Sequence, residues 1–393
     1  MYDSLYIAWK YVSFNQVKTA TLVACITLIG FLPLALELLL NESERQLMSR
    51  AVSTPLLIGA KGSALDLVMS TLYFGDGVPE LINMKTAARV RDSNLASPIP
   101  IYARFRARGH PVIGTTLDYF DFRGLKIAEG RFLALLGECV LGATVAERLG
   151  IKPGGNLVSS PENLFDLAGV YPLKMKVVGV LEKSYTSDDL AVFVDIKTAW
   201  VMQGLGHGHE DVAKTKDQSV ILKRTETNVV ANAKLQHYTE ITEANLDSFH
   251  FHGDTSIYPI TAVIAVPRDT KSGTILRGRF VSSTESHQIV KPDHVIDGLL
   301  QNIFRIKNML EAVISVVGLG TVLAILLVFA LSLRLRQREI NTIFKLGCNR
   351  MTIARLLGAE ILIIVLMSGV LCGVMVFLVN QFSNDLVRML FIR

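Results

Sequence analysis

The sequence predicts an α-helical membrane protein with three transmembrane helices, an N-terminal amphipathic helix and a large extracytoplasmic α+β domain between the first two spans. Half of the 393 residues are hydrophobic, only 19% are charged, and three segments are long and apolar enough to cross a bilayer. Average soluble domains carry about 25% charged residues. This composition excludes a disordered chain and a coiled coil, and a net charge of +5 gives no indication of nucleic-acid binding.

The first predicted element, residues 1–18, is a helix lying on the cytoplasmic face of the membrane. Tryptophan favours the headgroup level, so Trp9 and Lys10 are assigned to the membrane interface. A leader without fixed structure is the alternative. The apolar residues that would share one face of the helix are Leu5, Ala8, Trp9 and Val12.

Three segments are predicted to span the membrane, at residues 19–40, 309–333 and 356–379, because a span needs about 20 mostly apolar residues. The first exceeds the apolar region of a signal peptide, and no small-residue cleavage motif follows it, so we expect an uncleaved anchor. In the third, Glu360 is expected to pair with Arg355 or a neighbouring arginine.

The basic residues beside the spans predict the orientation, since positively charged loops remain in the cytoplasm. Lys10 and Lys18 precede the first span. Residues 334–355, between the second and third spans, contain six further Lys and Arg residues: Arg334, Arg336, Arg338, Lys345, Arg350 and Arg355. We therefore expect a bacterial inner-membrane protein with a cytoplasmic N-terminus. Residues 41–308 and the tail 380–393 lie outside the cytoplasm, in the periplasm of a Gram-negative cell.

Residues 41–308 predict an α+β domain, with room for two subdomains, because short β-branched runs alternate with turn signals. Helical periodicity is present at residues 143–149, before Gly150, and at residues 228–237. Strands are predicted at residues 55–59, 110–114, 139–142, 175–181, 191–194, 219–222 and 261–266.

The cytoplasmic segment 334–355 predicts a short amphipathic helix that ends near Gly347, since glycine readily adopts the left-handed conformation of a helix end. An apolar face at the cytoplasmic surface has to be buried by lipid or by a protein groove, and the pattern alone leaves both open. The apolar residues are Ile340, Ile343, Phe344 and Leu346, and the charged ones are Arg336, Arg338, Glu339 and Lys345.

The order of a long exported domain, a span, a basic loop and a further span resembles the MacB/FtsX-type permeases of mechanotransmission ABC transporters. The loop carries their pattern as Arg338-Glu339-Ile340, followed by Leu346-Gly347 and Arg350. The exported domain is similar to their periplasmic module at residues 57–63, 114–120, 130–132, 140–143 and 177–181.

The resemblance implies a non-catalytic permease subunit that binds no cofactor itself. Two copies of a cytoplasmic ABC ATPase would bind ATP and Mg²⁺, and a second permease copy or a homologue would form a dimer with this chain through the first two spans. A periplasmic partner protein is also expected. Such permeases usually carry a fourth span, whereas only residues 380–393 follow the third. Either the permease is naturally shorter or another chain supplies that helix.

The resemblance also implies that the helix in 334–355 couples the permease to its ATPase. Ile343, Phe344 and Leu346 would enter a groove of the ATPase. The other residues of this coupling set are Arg338, Glu339, Ile340, Lys345 and Gly347. The implied function is to couple ATP hydrolysis to a conformational change of the periplasmic domain, for export or extraction of a lipophilic or periplasmic substrate. The alternatives are a transmembrane regulator of a periplasmic cell-wall hydrolase and an ATPase-independent receptor or scaffold.

No catalytic or metal site is predicted. The four cysteines lack the spacing of a zinc or redox motif, and no nucleophile or metalloprotease motif is present. Histidines cluster twice, the first time together with two carboxylates, and we interpret them as solvated surface residues, although a transition-metal site is the alternative. These residues are His207, His209, Glu210, Asp211, His250 and His252.

Overall fold

In a computed structural model, the chain forms two compact units. The helical unit contains Met1–Leu47 and Leu299–Arg393, and the sheet unit contains Met48–Gly298. The structure describes residues 2–77, 79–160, 172–208, 221–224, 229–231, 239–280, 286–335, 337, 342, 345 and 349–391.

The described residues form helices that differ widely in length. The helices are α1 (Tyr2–Phe14), α2 (Gln16–Val52), α3 (Ala64–Leu72), α4 (Lys85–Asp92), α5 (Asp118–Arg123), α6 (Ala143–Leu149), α7 (Ile196–Met202), α8 (Thr270–Arg279), α9 (Pro292–Leu335) and α10 (Arg350–Phe391).

All described strands belong to the sheet unit. They are β1 (Leu56–Ala60), β2 (Ile82–Asn83), β3 (Ala96–Ala107), β4 (His110–Thr115), β5 (Ile127–Gly130), β6 (Glu138–Leu141), β7 (Asn156–Val158), β8 (Leu173–Leu181), β9 (Val192–Asp195), β10 (Gly206–Gly208), β11 (Ile221–Arg224), β12 (Val229–Ala231), β13 (Thr239–Glu240), β14 (Phe249–Phe251), β15 (Pro259–Ile260), β16 (Ala262–Pro267) and β17 (His287–Val290).

Most strands join one mixed sheet with the order β13-β8-β6-β9-β4-β3-β16-β1-β17, and β5 and β7 also pair with β8. β4 pairs with β9 in parallel, as β6 does with β8, whereas β1 is antiparallel to both of its neighbours. The central strands are buried on both faces, which explains their continuous apolar runs. Helices α3, α4, α7 and α8 pack on the sheet through β3.

Helices α2 and α9 connect directly to the sheet unit, and the strands that they connect to pair with each other at one edge of the sheet. α2 is followed by residues 53–55 and then by β1, and β17 is followed by Lys291 and then by α9. β1 and β17 pair with Leu57 opposite Val290 and Ala60 opposite His287. The chain therefore enters and leaves the sheet unit on neighbouring strands.

The structure confirms the predicted α+β domain and places a strand within or across each of the seven predicted strand segments. Helix α6 ends as predicted, with Gly150 at φ +63°. The predicted helix at residues 228–237 is wrong where the structure describes it, because residues 229–231 form β12 and pair with β11. The two valines that begin β12 favour an extended backbone.

Among the described residues, two helices have the length and hydropathy of a membrane span, Gln16–Val52 and Met351–Phe382. They contain the predicted first and third spans. The predicted second span lies in α9, whose shorter apolar stretch is Glu311–Leu327. The number of spans therefore stays a prediction.

Within the helical unit, polar and small side chains join α2 to α10. The Thr27 hydroxyl donates to the Ser368 carbonyl at 3.4 Å, and the Ser368 hydroxyl lies 3.4 Å from the Val23 carbonyl. Small residues of this kind let helices approach closely. α1 also packs on α10, and Val12 is buried in a cluster with Ile364.

Candidate functional site

The last turns of α2 belong to the sheet unit, and there Arg50 enters the core. Its side chain is only 5% exposed, and that of Asp188 is 1% exposed. The guanidinium donates to both carboxylate oxygens, from Nη1 to Oδ2 at 2.6 Å and from Nη2 to Oδ1 at 2.9 Å. This bidentate pairing is stronger and more directional than a single neutral hydrogen bond. It fixes the end of α2 within the sheet unit, and we name it the Arg50–Asp188 anchor.

Two further N–H groups of the Arg50 guanidinium also have acceptors. Nη2 donates to the Tyr119 hydroxyl at 2.8 Å, and Nε donates to the Leu72 carbonyl. The ring of Phe74 lies 5.2 Å from the guanidinium carbon, within the range of a cation–π contact. A buried charge needs partners of this quality to offset its lost hydration.

Asp188 is held by a short 3₁₀ turn, Ser187–Leu190, whose first residue follows Thr186. The Thr186 hydroxyl donates to Asp188 Oδ2 at 3.0 Å, and Tyr119 donates to Oδ1 at 2.7 Å. The turn rests directly on Gly142, where an added Cβ would lie 2.2 Å from the Asp188 carbonyl oxygen. Contacts within the sheet unit other than those with α2 therefore already hold the Asp188 carboxylate in place.

Burial and charge shift the pKa values of this cluster in opposite directions. Burial alone would raise the pKa of Asp188, but the positive charge of Arg50, together with hydrogen bonds from Arg50 and Tyr119, holds it below its ordinary value. Burial raises the pKa of Tyr119 to about 12, and the neighbouring Arg50 charge opposes that rise. At neutral pH the cluster therefore contains a carboxylate and a neutral phenol.

A second arginine holds the residues that follow α2. Arg123 donates to the Ser53 hydroxyl at 3.0 Å and to the Thr54 hydroxyl at 2.8 Å. Thr54 in turn donates to the Arg50 carbonyl at 2.9 Å. The pKa of Arg123 is lowered by burial and by the Arg50 charge. The end of α2 is therefore fixed in two ways, through the Arg50 side chain and through the Arg50 carbonyl, which accepts from Thr54.

A cavity of about 330 Å³ opens beside the anchor, within the sheet unit. Four basic residues and two acidic residues line it: Arg50, Arg123, Lys126, Lys183, Glu182 and Asp188. No cysteine and no histidine is among its lining residues. Both partners of the Arg50–Asp188 anchor are therefore among the charged residues that line this cavity.

Most of the predicted coupling set lies outside the described residues, namely Arg338, Glu339, Ile340, Ile343, Phe344, Leu346 and Gly347. Lys345 is described and exposed.

At the N-terminus, Trp9 is 52% exposed and Lys10 is exposed, with its ammonium 5.7 Å from the centre of the Tyr6 ring. Ala8 and Val12, predicted on the same apolar stripe as Trp9, are buried instead. Glu360, for which the sequence suggested an arginine, forms an ion pair with Lys18 at 3.2 Å.

Sequence reasoning assigned no role to Arg50, Tyr119 or Asp188, although Tyr119 lies in segment 114–120, which resembles the periplasmic module of the family. Arg50 follows the first span in a polar stretch, where a basic residue is ordinary, and Asp188 lies in a run of residues typical of a loop. Arg50 and Asp188 are 138 positions apart, so no local spacing could indicate the pair. The one available signal was the cluster of turn-forming residues around Asp188, which predicts a turn but no partner.

Comparison with solved structures finds distant likenesses. The periplasmic region of MacB from Actinobacillus actinomycetemcomitans is 13% identical, covering 63% of this chain and 92% of that chain at a TM-score of 0.35. The extracellular domain of the noncanonic ABC-type transporter YknZ from Gram-positive bacteria is 11% identical, covering 60% and 98% at a TM-score of 0.33. Among curated proteins, none matches the sequence.

The family assignment rests on the sequence itself. A family model described as the MacB-like periplasmic core domain matches residues 28–238, which is more than half of the chain. The matched range begins in α2 and contains all three members of the Arg50–Asp188–Tyr119 cluster. The resemblance to MacB/FtsX-type permeases is therefore confirmed, and this chain belongs to the family of proteins with a MacB-like periplasmic core domain.

Proposed function

We propose that this chain is the permease subunit of an ABC transporter that couples ATP hydrolysis by a separate ATPase to a conformational change of the sheet unit. The work would export or extract a lipophilic or periplasmic substrate. The chain itself hydrolyses nothing in this scheme. The match to the MacB-like periplasmic core domain supports the proposal, because that family is a component of ABC-type transporter permeases.

The proposed assembly contains two ATPase subunits and two permease chains in the bacterial inner membrane. The N-terminus and residues 334–355 would face the cytoplasm, and the sheet unit would lie in the periplasm. The excess of Lys and Arg in residues 334–355 supports this orientation. Exposed apolar side chains on α9 and α10, such as Val316 at 72% and Val370 at 69%, suit contact with lipid or with a second chain.

The observation that carries the proposal is the Arg50–Asp188 anchor at the end of α2. α2 is one helix from Gln16 to Val52, with Pro33 inside it, and in this proposal a displacement of its apolar part is carried to its last turn. That turn is bound to the core by the buried ion pair and by Arg123. β1, which follows α2, pairs with β17, which precedes α9. Movement of either long helix would therefore act on the same sheet edge.

The proposed ATPase contact is the segment 334–355, with Phe344 as its central apolar residue. Phe344→Asp would place a charge in an apolar groove of the ATPase, and we expect it to abolish co-purification with the ATPase and stimulation of ATP hydrolysis. The matched control is Phe14→Asp, because Phe14 is 87% exposed at the end of α1 and lies outside the coupling set.

The measurement uses the detergent-solubilised full chain, with and without ATP. If Phe344→Asp retains both ATPase association and stimulated turnover while the protein stays folded, the coupling role is wrong. If the wild-type chain captures no ATP-binding subunit, the protein is a receptor or scaffold instead. If an ATP-binding subunit is captured, vanadate-sensitive substrate release separates a transporter from a regulator of a periplasmic hydrolase.

A further inference from the structure

Three histidines of the sheet unit converge on one point, although 45 positions separate the outer two. β10 and β14 pair so that His207 lies directly opposite His250. His252 directly follows β14, and its Nε2 lies close to that of His250. The local strand pairing therefore gathers His207, His250 and His252, which belong to two separate histidine clusters in the sequence.

The imidazole nitrogens lie at distances suited to a shared ion. His250 Nε2 is 3.1 Å from His252 Nε2, and His252 Nε2 is 3.4 Å from His207 Nε2. One ligand atom from each of the three side chains lies within 4.8 Å of the others. Tetrahedral zinc with Zn–N bonds of about 2.0–2.1 Å requires nitrogen–nitrogen separations of about 3.3–3.4 Å. The two nitrogen–nitrogen separations of 3.1 and 3.4 Å are close to that value.

A hydrogen bond at Nδ1 of His250 indicates which nitrogen of that ring has the lone pair that could bind a metal. His250 Nδ1 lies 3.0 Å from the Ser248 carbonyl oxygen, which can only accept, so Nδ1 carries the proton. In the neutral ring, Nε2 is then free of a proton and able to bind a metal. Metal-binding histidines commonly have their second nitrogen oriented by a backbone carbonyl in this way.

The backbone that carries the histidines is fixed from the opposite face of the strands. Phe251 packs against Trp200 and Tyr258, with ring centroids 6.2 and 6.1 Å apart. The Tyr258 hydroxyl lies 2.9 Å from the His252 carbonyl and 3.3 Å from that of Leu205, which precedes β10. Both strands are therefore held in register by the same aromatic residue before any ion binds.

We infer that His207, His250 and His252 form a binding site for one transition-metal cation of the Zn²⁺, Cu²⁺ or Ni²⁺ class. Imidazole nitrogen suits these ions, whereas Mg²⁺ and Ca²⁺ prefer oxygen ligands. Three protein ligands leave one tetrahedral position for water or another donor. A bound ion would cross-link β10 to β14 and so stabilise the pairing of these strands. This inference does not depend on the proposed transport function.

The test is a Zn²⁺ titration of the full-length protein, purified in detergent with an affinity tag that contains no histidine and then treated with a chelator. We expect one Zn²⁺ per chain by calorimetry and no binding of Mg²⁺ to this site. His207→Ala, His250→Ala and His252→Ala should each weaken Zn²⁺ binding at least about tenfold, the loss caused even by removing an outer-sphere partner.

The matched control is His294→Ala, because His294 is exposed near the start of α9 and outside the cluster. It should bind Zn²⁺ as the wild type does. Absence of wild-type binding, unchanged affinity in His252→Ala, or an equal loss in His294→Ala would overturn the inference.

A spectroscopic measurement on the wild type keeps the inference testable if a variant fails to fold. The electron paramagnetic resonance spectrum of the protein loaded with one equivalent of Cu²⁺ should show hyperfine coupling to three imidazole nitrogens. Coupling to two or fewer would overturn the three-histidine site. In a Trp9→Phe background, fluorescence of Trp200, which contacts Phe251 behind the cluster, reports whether each metal-free variant is folded.

Discussion

Asp188→Asn removes the negative charge of the Arg50–Asp188 anchor while keeping the size of the side chain. The asparagine amide would turn NH₂ donors toward a guanidinium that has only donors, and Arg50 would remain buried with its charge uncompensated. Removing one partner of a buried ion pair costs about 3–5 kcal/mol of unfolding free energy. The upper part of that range is expected, because both side chains are almost completely buried and joined by two hydrogen bonds.

The effect is measurable as a shift in the midpoint of urea unfolding. With a slope of about 3 kcal/mol/M, a loss of 3–5 kcal/mol lowers the midpoint by about 1–2 M. Trp200 is buried in the sheet unit and reports its unfolding by fluorescence, and Trp9→Phe removes the signal of the only other tryptophan. The experiment uses the full chain in detergent.

Two further variants decide whether the pairing itself is responsible. Asp121→Asn makes the same chemical change at an exposed position of α5, and it should alter stability by less than about 0.5 kcal/mol. Arg50→Met combined with Asp188→Leu removes both charges and should cost less than Asp188→Asn alone. If Asp188→Asn lowers the midpoint no further than Asp121→Asn, the reasoning is refuted.

Two other predictions concern the surroundings of the anchor. Gly142→Ala would place a Cβ 2.2 Å from the Asp188 carbonyl oxygen and should lower the free energy of unfolding by about 1–3 kcal/mol. Gly278→Ala, in open space on α8, should be neutral or stabilising. Equal urea midpoints for the two variants would contradict the close packing at Gly142. Stability should also fall at both pH extremes. The lowered pKa of Asp188 means that its contribution is present above about pH 4 and is lost on acidification, and the raised pKa of Tyr119, about 12, means that stability is lost as pH rises from about 10 to 12. Urea midpoints measured across this range check both signs, and a midpoint that does not change at either end would contradict them.

The sequence predicted the elements whose signal is local. Each strand segment bounded by turn residues contains a strand, because short β-branched runs require no distant partner to be recognised. The helix at residues 143–149 was predicted together with its end, because Gly150 adopts the left-handed conformation. The family was identified from motifs in linear order, and the match over residues 28–238 confirms it.

The features that the sequence could not predict depend on long-range pairing. His207 meets His250 only because β10 pairs with β14, and three-residue strands carry too little periodicity to predict a pairing. Arg50 meets Asp188 only because the sheet brings the turn after β8 against the end of α2. Burial of the two charges follows from that tertiary arrangement, which no hydropathy pattern contains.

The chemistry of the anchor suits a joint that transmits movement. An apolar contact of similar area would stabilise the end of α2 equally well, since buried ion pairs are often no more stabilising than well-packed apolar residues. A bidentate pair differs in direction, because the planar guanidinium satisfies the carboxylate in only one orientation. Rotation of α2 about its axis, or sliding along it, would therefore have to break the Arg50–Asp188 hydrogen bonds and could not be absorbed by repacking, so the anchor resists both movements. For a helix that is proposed to carry a displacement into the sheet unit, this rigidity is a physical reason for placing an arginine in the core.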